Sequence, residues 1–594
     1  MPHMLYPLET ATRELKSLDG MWRVCFDPEQ RGLRDRYADG IPRERALEVA
    51  VPGSLNEQLT ERAHYLNLDW VWYELAFRVP ATWRGRRIFL RIGAATYRAD
   101  VFVNGRLLTS HEGGYTPIEV ELTEHVRPGA EQLLVVRVDS LLSATTVPQG
   151  GLDPKVGGVA AWRAGNNPDV HWDFFPFMGI HRPVVLYATG AARLRSIRVT
   201  TQSLQEGEAR LHVSANVDGP ASRLVLRVPE LGVEQSAAVS DSGTVELDVA
   251  LSGVAPWCPA QPKLYELDFA LEDAGGAVDS YQLPFGVRTL RVEGGQLLLN
   301  GAPLALRGFG KHEDAPIVGR GLSLPHLVKD LGLLRWVGAN SFRTSHYPYA
   351  EEYLRQADRY GLLVIDEVAA NTLSLRAVSE PVALAALAAQ HRAQIQELVE
   401  RDYNYASVIA WSLGNECETY LEKTEYFGQM VAHAKQLDVS RPVLFVVNSE
   451  PQTELAAQDF DLIGVNLYPS WYSDCGKLEA IAPALERSLR GFWEKYGKPI
   501  LICEFGADAV AGMHSELPLM WSEEYQAEMI ELVLDEAARH PYVVGAHVWN
   551  FADFKVGQHP GRVMLNHKGV FTRDRAPKLA AHALRRRWAL GRKV

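Results

Sequence analysis

Two carboxylates occur in matching settings: Glu416 in Trp411-Ser-Leu-Gly-Asn-Glu416, and Glu504 in Ile502-Cys-Glu-Phe-Gly506. Each stands where a short apolar run, 408–411 or 500–503, gives way to a loop. Runs of that length are too short for helices of their own and read as buried strands. In a closed parallel barrel such strand ends share one rim, where catalytic residues collect. A facing pair of carboxyls is what cleavage of a glycosidic bond requires, one as proton donor and the other as nucleophile or base.

The second half of the chain supplies the elements to hold them. Strand-like runs fall at 304–310, 340–345, 362–367, 408–415, 443–447, 462–468, 500–505 and 543–551. Segments with helical period and good helix formers lie between them, such as 324–337, 385–405, 420–437 and 523–539. Strand–helix alternation repeated over roughly 290 residues predicts one (β/α)8 TIM barrel. Polar residues follow nearly every strand: His312-Glu313-Asp314, Arg343 and His346, Asp366-Glu367, Asn415-Glu416, Asn466 and Tyr468, Glu504, Trp549-Asn550. That row is where a barrel enzyme keeps its chemistry.

The first half has another rhythm. From Leu18 to about Leu290 it shows short alternating runs, such as Trp72-Tyr-Glu-Leu-Ala-Phe-Arg-Val79 and Ala99-Asp-Val-Phe-Val103, with turn signals such as Asn104-Gly105 between them. No long helical pattern intervenes, which predicts an all-β arrangement. It is too long for one sandwich, and a boundary falls near 188–193. The segment beyond suits one immunoglobulin-like sandwich of about 100 residues.

Composition narrows the class. The 594 residues are 47% hydrophobic, enough for several cores. A net charge of −12 with no basic tract argues against a nucleic-acid partner. No apolar run approaches the ~20 residues of a membrane span. The N-terminal Met1-Pro-His-Met-Leu-Tyr-Pro lacks a signal-peptide layout, and five scattered cysteines form neither a disulfide framework nor a zinc spacing. A cytoplasmic protein without metal or cofactor is expected. Cys417 and Cys503 flank the two glutamates and are read as packing residues rather than nucleophiles.

Longer motifs then carry a resemblance. Asn340-Ser-Phe-Arg-Thr-Ser-His-Tyr-Pro348, followed by Asp358 and Gly361-Leu-Leu-Val-Ile365, resembles one signature of glycoside hydrolase family 2. Asp402-Tyr-Asn-Tyr-Ala-Ser-Val-Ile-Ala-Trp-Ser-Leu-Gly-Asn-Glu416 resembles the second, which ends at the acid/base glutamate; Tyr403 departs from the usual residue there. Within the family the chain is most similar to β-glucuronidases, through Gly308-Phe-Gly-Lys-His-Glu-Asp314, Trp521-Ser-Glu-Glu-Tyr-Gln526, Trp549-Asn-Phe-Ala-Asp-Phe554 and Asn566-His-Lys-Gly-Val-Phe-Thr-Arg-Asp-Arg575. The resemblance implies a jelly-roll domain over 1–190, an immunoglobulin-like sandwich over 191–288 and a catalytic barrel over 289–594. It also implies a homotetramer or homodimer, and a small-molecule β-glucuronide as substrate.

Carried onto this sequence, it makes Glu416 the general acid/base and Glu504 the nucleophile of a retaining double displacement. Glu416 must carry a proton in the first step and lose it for the second, whereas Glu504 must be ionised, with Arg343 the nearest cationic candidate. Asn415 fits a donor to the sugar 2-hydroxyl, Asn466 stands on the same rim, and Tyr468 falls within reach of Glu504, a core tyrosine being its bland alternative. Asn566 and Lys568, at i and i+2 of an extended segment, project to one side and can hold one anion. In the family that pattern grips the sugar C6 carboxylate, with Arg562 adding charge. Trp549 offers an apolar face beneath the sugar, Asp173 reaches across from the first domain, and His312 and Tyr472 are further wall candidates.

The chain also departs from its relatives. Phe505 stands where a tyrosine is common, Leu467 and Pro469 alter the loop around Tyr468, and the stretch after Glu367 is short, which implies an open aglycone side. A β-galacturonidase, a neutral β-galactosidase or β-mannosidase of the same fold, and a non-catalytic sugar-binding barrel are the competing readings. The last would be expected to have lost one glutamate. A neutral sugar would have no use for the Asn566/Lys568 pair.

Overall fold

In the computed structural model, which describes residues 4–152, 167–168, 170–421 and 423–589, the eight runs of the second half close into a parallel barrel. Its strands are β1 (Leu306–Gly310), β2 (Ser341–Arg343), β3 (Leu363–Glu367), β4 (Val408–Asn415), β5 (Val443–Val447), β6 (Ile463–Asn466), β7 (Ile500–Glu504) and β8 (Val543–Val548). Every residue of β3, β4, β5 and β7 is buried. A parallel strand covered on both faces has no solvent side, which is why these runs are continuously apolar rather than alternating.

Helices wrap the outside: α1 (Leu324–Val337), α2 (Glu351–Tyr360), α3 (Pro381–Asp402), α4 (Thr424–Leu437), α5 (Ile481–Tyr496), α6 (Glu523–Ala537) and α7 (Leu579–Ala589). The expected start of α3 moves back to Pro381, a residue whose fixed φ suits a first helical turn. Between β5 and β6 there is only a short 3-10 turn, Ala456–Asp459. Helix α1 stops at Gly338, whose φ of 88° is a left-handed cap.

The first half is antiparallel throughout. A six-stranded sheet runs in the order Leu47–Val51, Gly20–Phe26, Val71–Arg78, Glu131–Asp139, Arg98–Val103, Arg106–Glu112. It faces a four-stranded sheet of Glu14–Ser17, Val184–Thr189, Arg87–Ile92 and Ile118–Glu121 over a core that includes Trp22, Tyr73, Leu90 and Val136. A separate sandwich of three and four strands, from Arg193–Gln205 to Gly276–Phe285, has its own core around Leu211, Val213, Leu226 and Phe269.

The first sandwich is tied to the barrel mouth. Buried ion pairs join Arg182 to Glu313 (3.2 Å) and Arg91 to Glu351 (2.6 Å), and Lys555 of the barrel reaches Glu57 (2.5 Å). Trp172 and Phe174, from a connection of the first domain, belong to the barrel's own apolar cluster. Their rings stack at 5.4 Å, and Phe174 packs against His312 and Tyr347. Those two aromatic anchors carry Asp173, the residue between them, to the mouth.

Candidate active site

Glu504 is the last residue of β7 and is almost fully buried. Its Oε1 accepts from Arg343 Nη2 and lies 3.6 Å from His346 Nε2; its Oε2 accepts from the Tyr468 hydroxyl at 2.7 Å. Arg343 ends β2 and has no solvent exposure. Its other terminal nitrogen donates to both oxygens of Glu367 at 2.8 Å, and His346 Nδ1 lies 2.8 Å from the same carboxylate. Burial pushes the Glu504 carboxyl above the usual range, with the nearby Glu416 adding to the rise, while Arg343, His346 and the Tyr468 hydrogen bond oppose it. Burial acts on Glu367 in the same sense, but Arg343, His346 and the Ser412 hydroxyl together bring it below the usual range.

Glu416 follows the last residue of β4 with φ of 50°, a left-handed conformation uncommon for a residue with a side chain. Its amide donates to the Val446 carbonyl of β5 at 2.7 Å, and its Oε1 accepts from Asn466 Nδ2 at 2.8 Å. Asn466, the end of β6, sits in register with Glu504 and also donates to Asn415 Oδ1 at 3.1 Å. Asn415 in turn donates to Asn371 Oδ1 at 2.9 Å. A cavity of about 690 Å³ is lined by both glutamates and by Asn415, Asn466, Tyr468 and Trp549. The Trp549 indole is stacked on His346, ring centroids 5.0 Å apart, so its own position is fixed from behind.

Asp173 and Tyr472 line the same cavity. Asp173 takes the Arg562 guanidinium (Nη2 at 2.5 Å) and the Asn566 amide (2.9 Å). Arg562 also donates to the Tyr472 hydroxyl at 2.8 Å, and Lys568 Nζ lies 3.1 Å from that hydroxyl. Arg562, Asn566 and Lys568 thus meet the cavity through Asp173 and Tyr472. The i, i+2 pair does not hold one anion in common here: Asn566 holds Asp173, and Lys568 holds Asp508 at 2.5 Å. An ammonium 1% exposed cannot stand without a counter-charge. Burial raises the Asp508 carboxyl, yet Lys568 and Arg562 overcome it and hold that carboxyl below the usual range.

His312 stands one layer back. Its ring packs against Phe174, His346, Trp549 and Phe554, its Nδ1 is 3.2 Å from the Tyr347 hydroxyl, and burial drives its pKa well below the usual value. It supports the wall and does not line it. Cys417 and Cys503 are buried, and burial pushes both thiols up to about 12, so neither is a thiolate. Sequence reasoning noted Glu367 and His346 only as strand-end polar residues, and missed Asp508 and Asn371 as partners. The signal for Asp508 was present in principle: a lysine turned into a pocket wall needs an acidic partner, and Asp508 follows Glu504 in the loop after β7.

Two carboxylates on the rim of a (β/α)8 barrel, closed off by a sandwich that lends one aspartate, define a glycoside hydrolase. Comparison with known proteins agrees. The descriptions "Glycosyl hydrolases family 2, sugar binding domain", "Glycosyl hydrolases family 2" and "Glycosyl hydrolases family 2, TIM barrel domain" match residues 15–190, 192–288 and 290–591. A β-glucuronidase of Paenibacillus borealis is 40% identical over 98% of both chains. The solved structure of the Dictyoglomus thermophilum β-D-glucuronidase superimposes with a TM-score of 0.88 at 38% identity, covering 99% of each chain. That of the Ruminococcus gnavus β-glucuronidase gives 0.91 at 34% identity over 99% of this chain and 100% of that one, and the R. gnavus protein has also been solved in complex with D-glucaro 1,5-lactone. The chain belongs to glycoside hydrolase family 2.

Proposed function

We propose that the protein hydrolyses β-D-glucuronides, releasing glucuronic acid and the aglycone by double displacement with retention. Glu504 attacks the anomeric carbon while Glu416 protonates the departing oxygen, leaving a glycosyl ester on Glu504. Water then enters with Glu416 as base, and the sugar leaves as the β-anomer. Asn415 and Asn466 serve the sugar 2-hydroxyl and the Glu416 carboxyl, Tyr468 steadies Glu504, and Trp549 underlies the ring. Arg562, Asn566 and Lys568, with Asp173 and Tyr472 as the surface they act through, receive the C6 carboxylate; His312 backs this wall.

The observation that carries this reading is one cavity that joins both glutamates to Asp173 and Tyr472, which Arg562, Asn566 and Lys568 back from behind. The matching relatives named β-glucuronidase support it. A neutral β-galactoside has no group for that wall to bind, whereas a β-galacturonide carries the same carboxylate and differs at C4. A panel of p-nitrophenyl glucuronide, galacturonide, glucoside and galactoside tests it: the glucuronide should be cleaved fastest, and a galactoside that rivals it would overturn the assignment.

The domain division 1–190, 191–288 and 289–594 belongs to the same proposal, as does assembly into a homodimer or homotetramer. Five free cysteines fit a reducing, cytoplasmic setting. Among the described residues no helix is long and apolar enough to cross a membrane.

A further inference from the structure

We propose that Glu367 is a positioning residue for the nucleophile: it acts through Arg343 and His346, fixing the guanidinium fork and the imidazole tautomer that together face Glu504. The inference rests on the reading of Glu504 as nucleophile. Glu367 is the end residue of β3 and has no solvent exposure. A buried carboxylate is costly unless its lone pairs are taken up, and here they are. Arg343 Nη1 donates to both oxygens at 2.8 Å, Ser412 Oγ donates to Oε2 at 2.6 Å, and His346 Nδ1 lies 2.8 Å from Oε1. The Glu367 amide is itself held by the Thr344 hydroxyl at 2.8 Å.

The consequence for Glu504 follows from which atoms remain. With Nη1 committed to Glu367, Arg343 presents Nη2 to Glu504 Oε1. A ring nitrogen 2.8 Å from a carboxylate must carry its hydrogen, so His346 donates Nδ1–H to Glu367 and turns Nε2 toward the same Oε1, at 3.6 Å. The result is a closed set in which both groups facing the nucleophile share one anchor. Other titratable groups around the set add little charge. His312 and His547 are held neutral by burial, the latter's pKa pushed down to about 3, and the Cys503 thiol stays protonated. Tyr468, raised well above its ordinary value by burial, donates to Oε2, and Glu416 adds a further carboxylate near Glu504.

The test is the pH profile of kcat/KM for Glu367→Gln in the full chain, using p-nitrophenyl glucuronide. Without the anion behind them, the Arg343 fork and the His346 ring lose the anchor that turns them toward Glu504, and the effect of burial on that carboxyl is opposed less. The acid limb should move up by about half a pH unit or more. The plateau should fall roughly a hundredfold, the order expected when a lost support displaces a reacting group by about 1 Å. On a His346→Asn background the same substitution should move the limb less. Ser412→Ala, a milder change that removes one donor to Glu367, should shift the limb in the same direction by a smaller amount, and it serves if Glu367→Gln fails to fold. An acid limb that stays in place in both variants while the plateau falls would make Glu367 a packing residue and overturn the proposal. So would a limb that moves down, since Glu367 would then act on Glu504 by direct repulsion. Failure of the underlying reading is separate: it would appear as turnover surviving in Glu504→Gln.

Discussion

The two ends of the cavity solve one problem in different ways. Both bury two carboxylates against two basic side chains. At the nucleophile the set is Glu504, Glu367, Arg343 and His346, three of them the last residues of β7, β3 and β2 and the fourth three residues past β2. At the wall it is Asp173, Asp508, Arg562 and Lys568, drawn from the first domain and from two loops that follow β7 and β8. The first set is held by the strand ends of one barrel. The second exists only because Trp172 and Phe174 dock into the barrel cluster and bring Asp173 with them. Under the proposed function, reaction chemistry is built on the rigid element and substrate choice on the junction between domains, where a change in one loop would alter what is bound without moving the glutamates.

The sharpest way to break this comparison is to disable each end in turn. Glu504→Gln should abolish turnover on every glycoside while leaving the fold intact. Glu416→Gln should spare the first step for leaving groups that need no protonation, and should remove the basic limb of a bell-shaped kcat/KM profile. Persistence of that limb in the variant would mean that another group supplies the proton.

Next in size is Lys568→Ala, which acts on the wall alone. If the ammonium grips the substrate carboxylate in this desolvated setting, its loss costs roughly 3–5 kcal/mol. At about 1.4 kcal/mol per decade that is on the order of a hundred- to a few-thousand-fold in kcat/KM for the glucuronide. The slow cleavage of a glucoside should be nearly unchanged. An equal loss on both substrates would show that Lys568 only supports the rim. Asn566→Ala removes a neutral donor to a charged group, worth about 1.5–3 kcal/mol, so uronide turnover should drop about ten- to a hundredfold. Assayed on glucuronide and glucoside side by side, it should show the same selectivity as Lys568→Ala.

The smallest effect concerns stability. Asp508 titrates below the ordinary carboxylate range, so its contribution is present above that range and is lost as pH falls through the lowered value. Asp508→Asn should therefore lower Tm at neutral pH, with a difference that narrows on acidification. A difference that widens toward acid would mean that the Lys568–Asp508 pair does not stabilise the fold.

The same contrast explains what could be read from the chain alone. The barrel was legible because eight apolar runs recur with helices between them, and the ends of β4 and β7 carry glutamates in recognisable surroundings. The start of α3 was misjudged by the weak periodicity of an alanine-rich segment, and was fixed instead by Pro381. The wall was legible only as a set of separate residues. Asn566, Lys568, Arg562 and Asp173 could each be named, but which cation meets which anion depends on how loops and domains dock, and no local pattern encodes that. Hence Asp508, which decides where the Lys568 ammonium points, went unnoticed, and His312 was placed one layer too far forward.

The account turns on the identity of the nucleophile, and trapping tests it directly. Incubation with a 2-deoxy-2-fluoro-β-glucuronyl fluoride, in which fluorine slows breakdown of the ester more than its formation, should add one sugar to the intact mass. Peptide sequencing should place it on Glu504, within the fragment containing Ile502-Cys-Glu-Phe-Gly506. An adduct on another carboxylate, or no adduct together with an α-anomer as the first product by proton NMR, would contradict it.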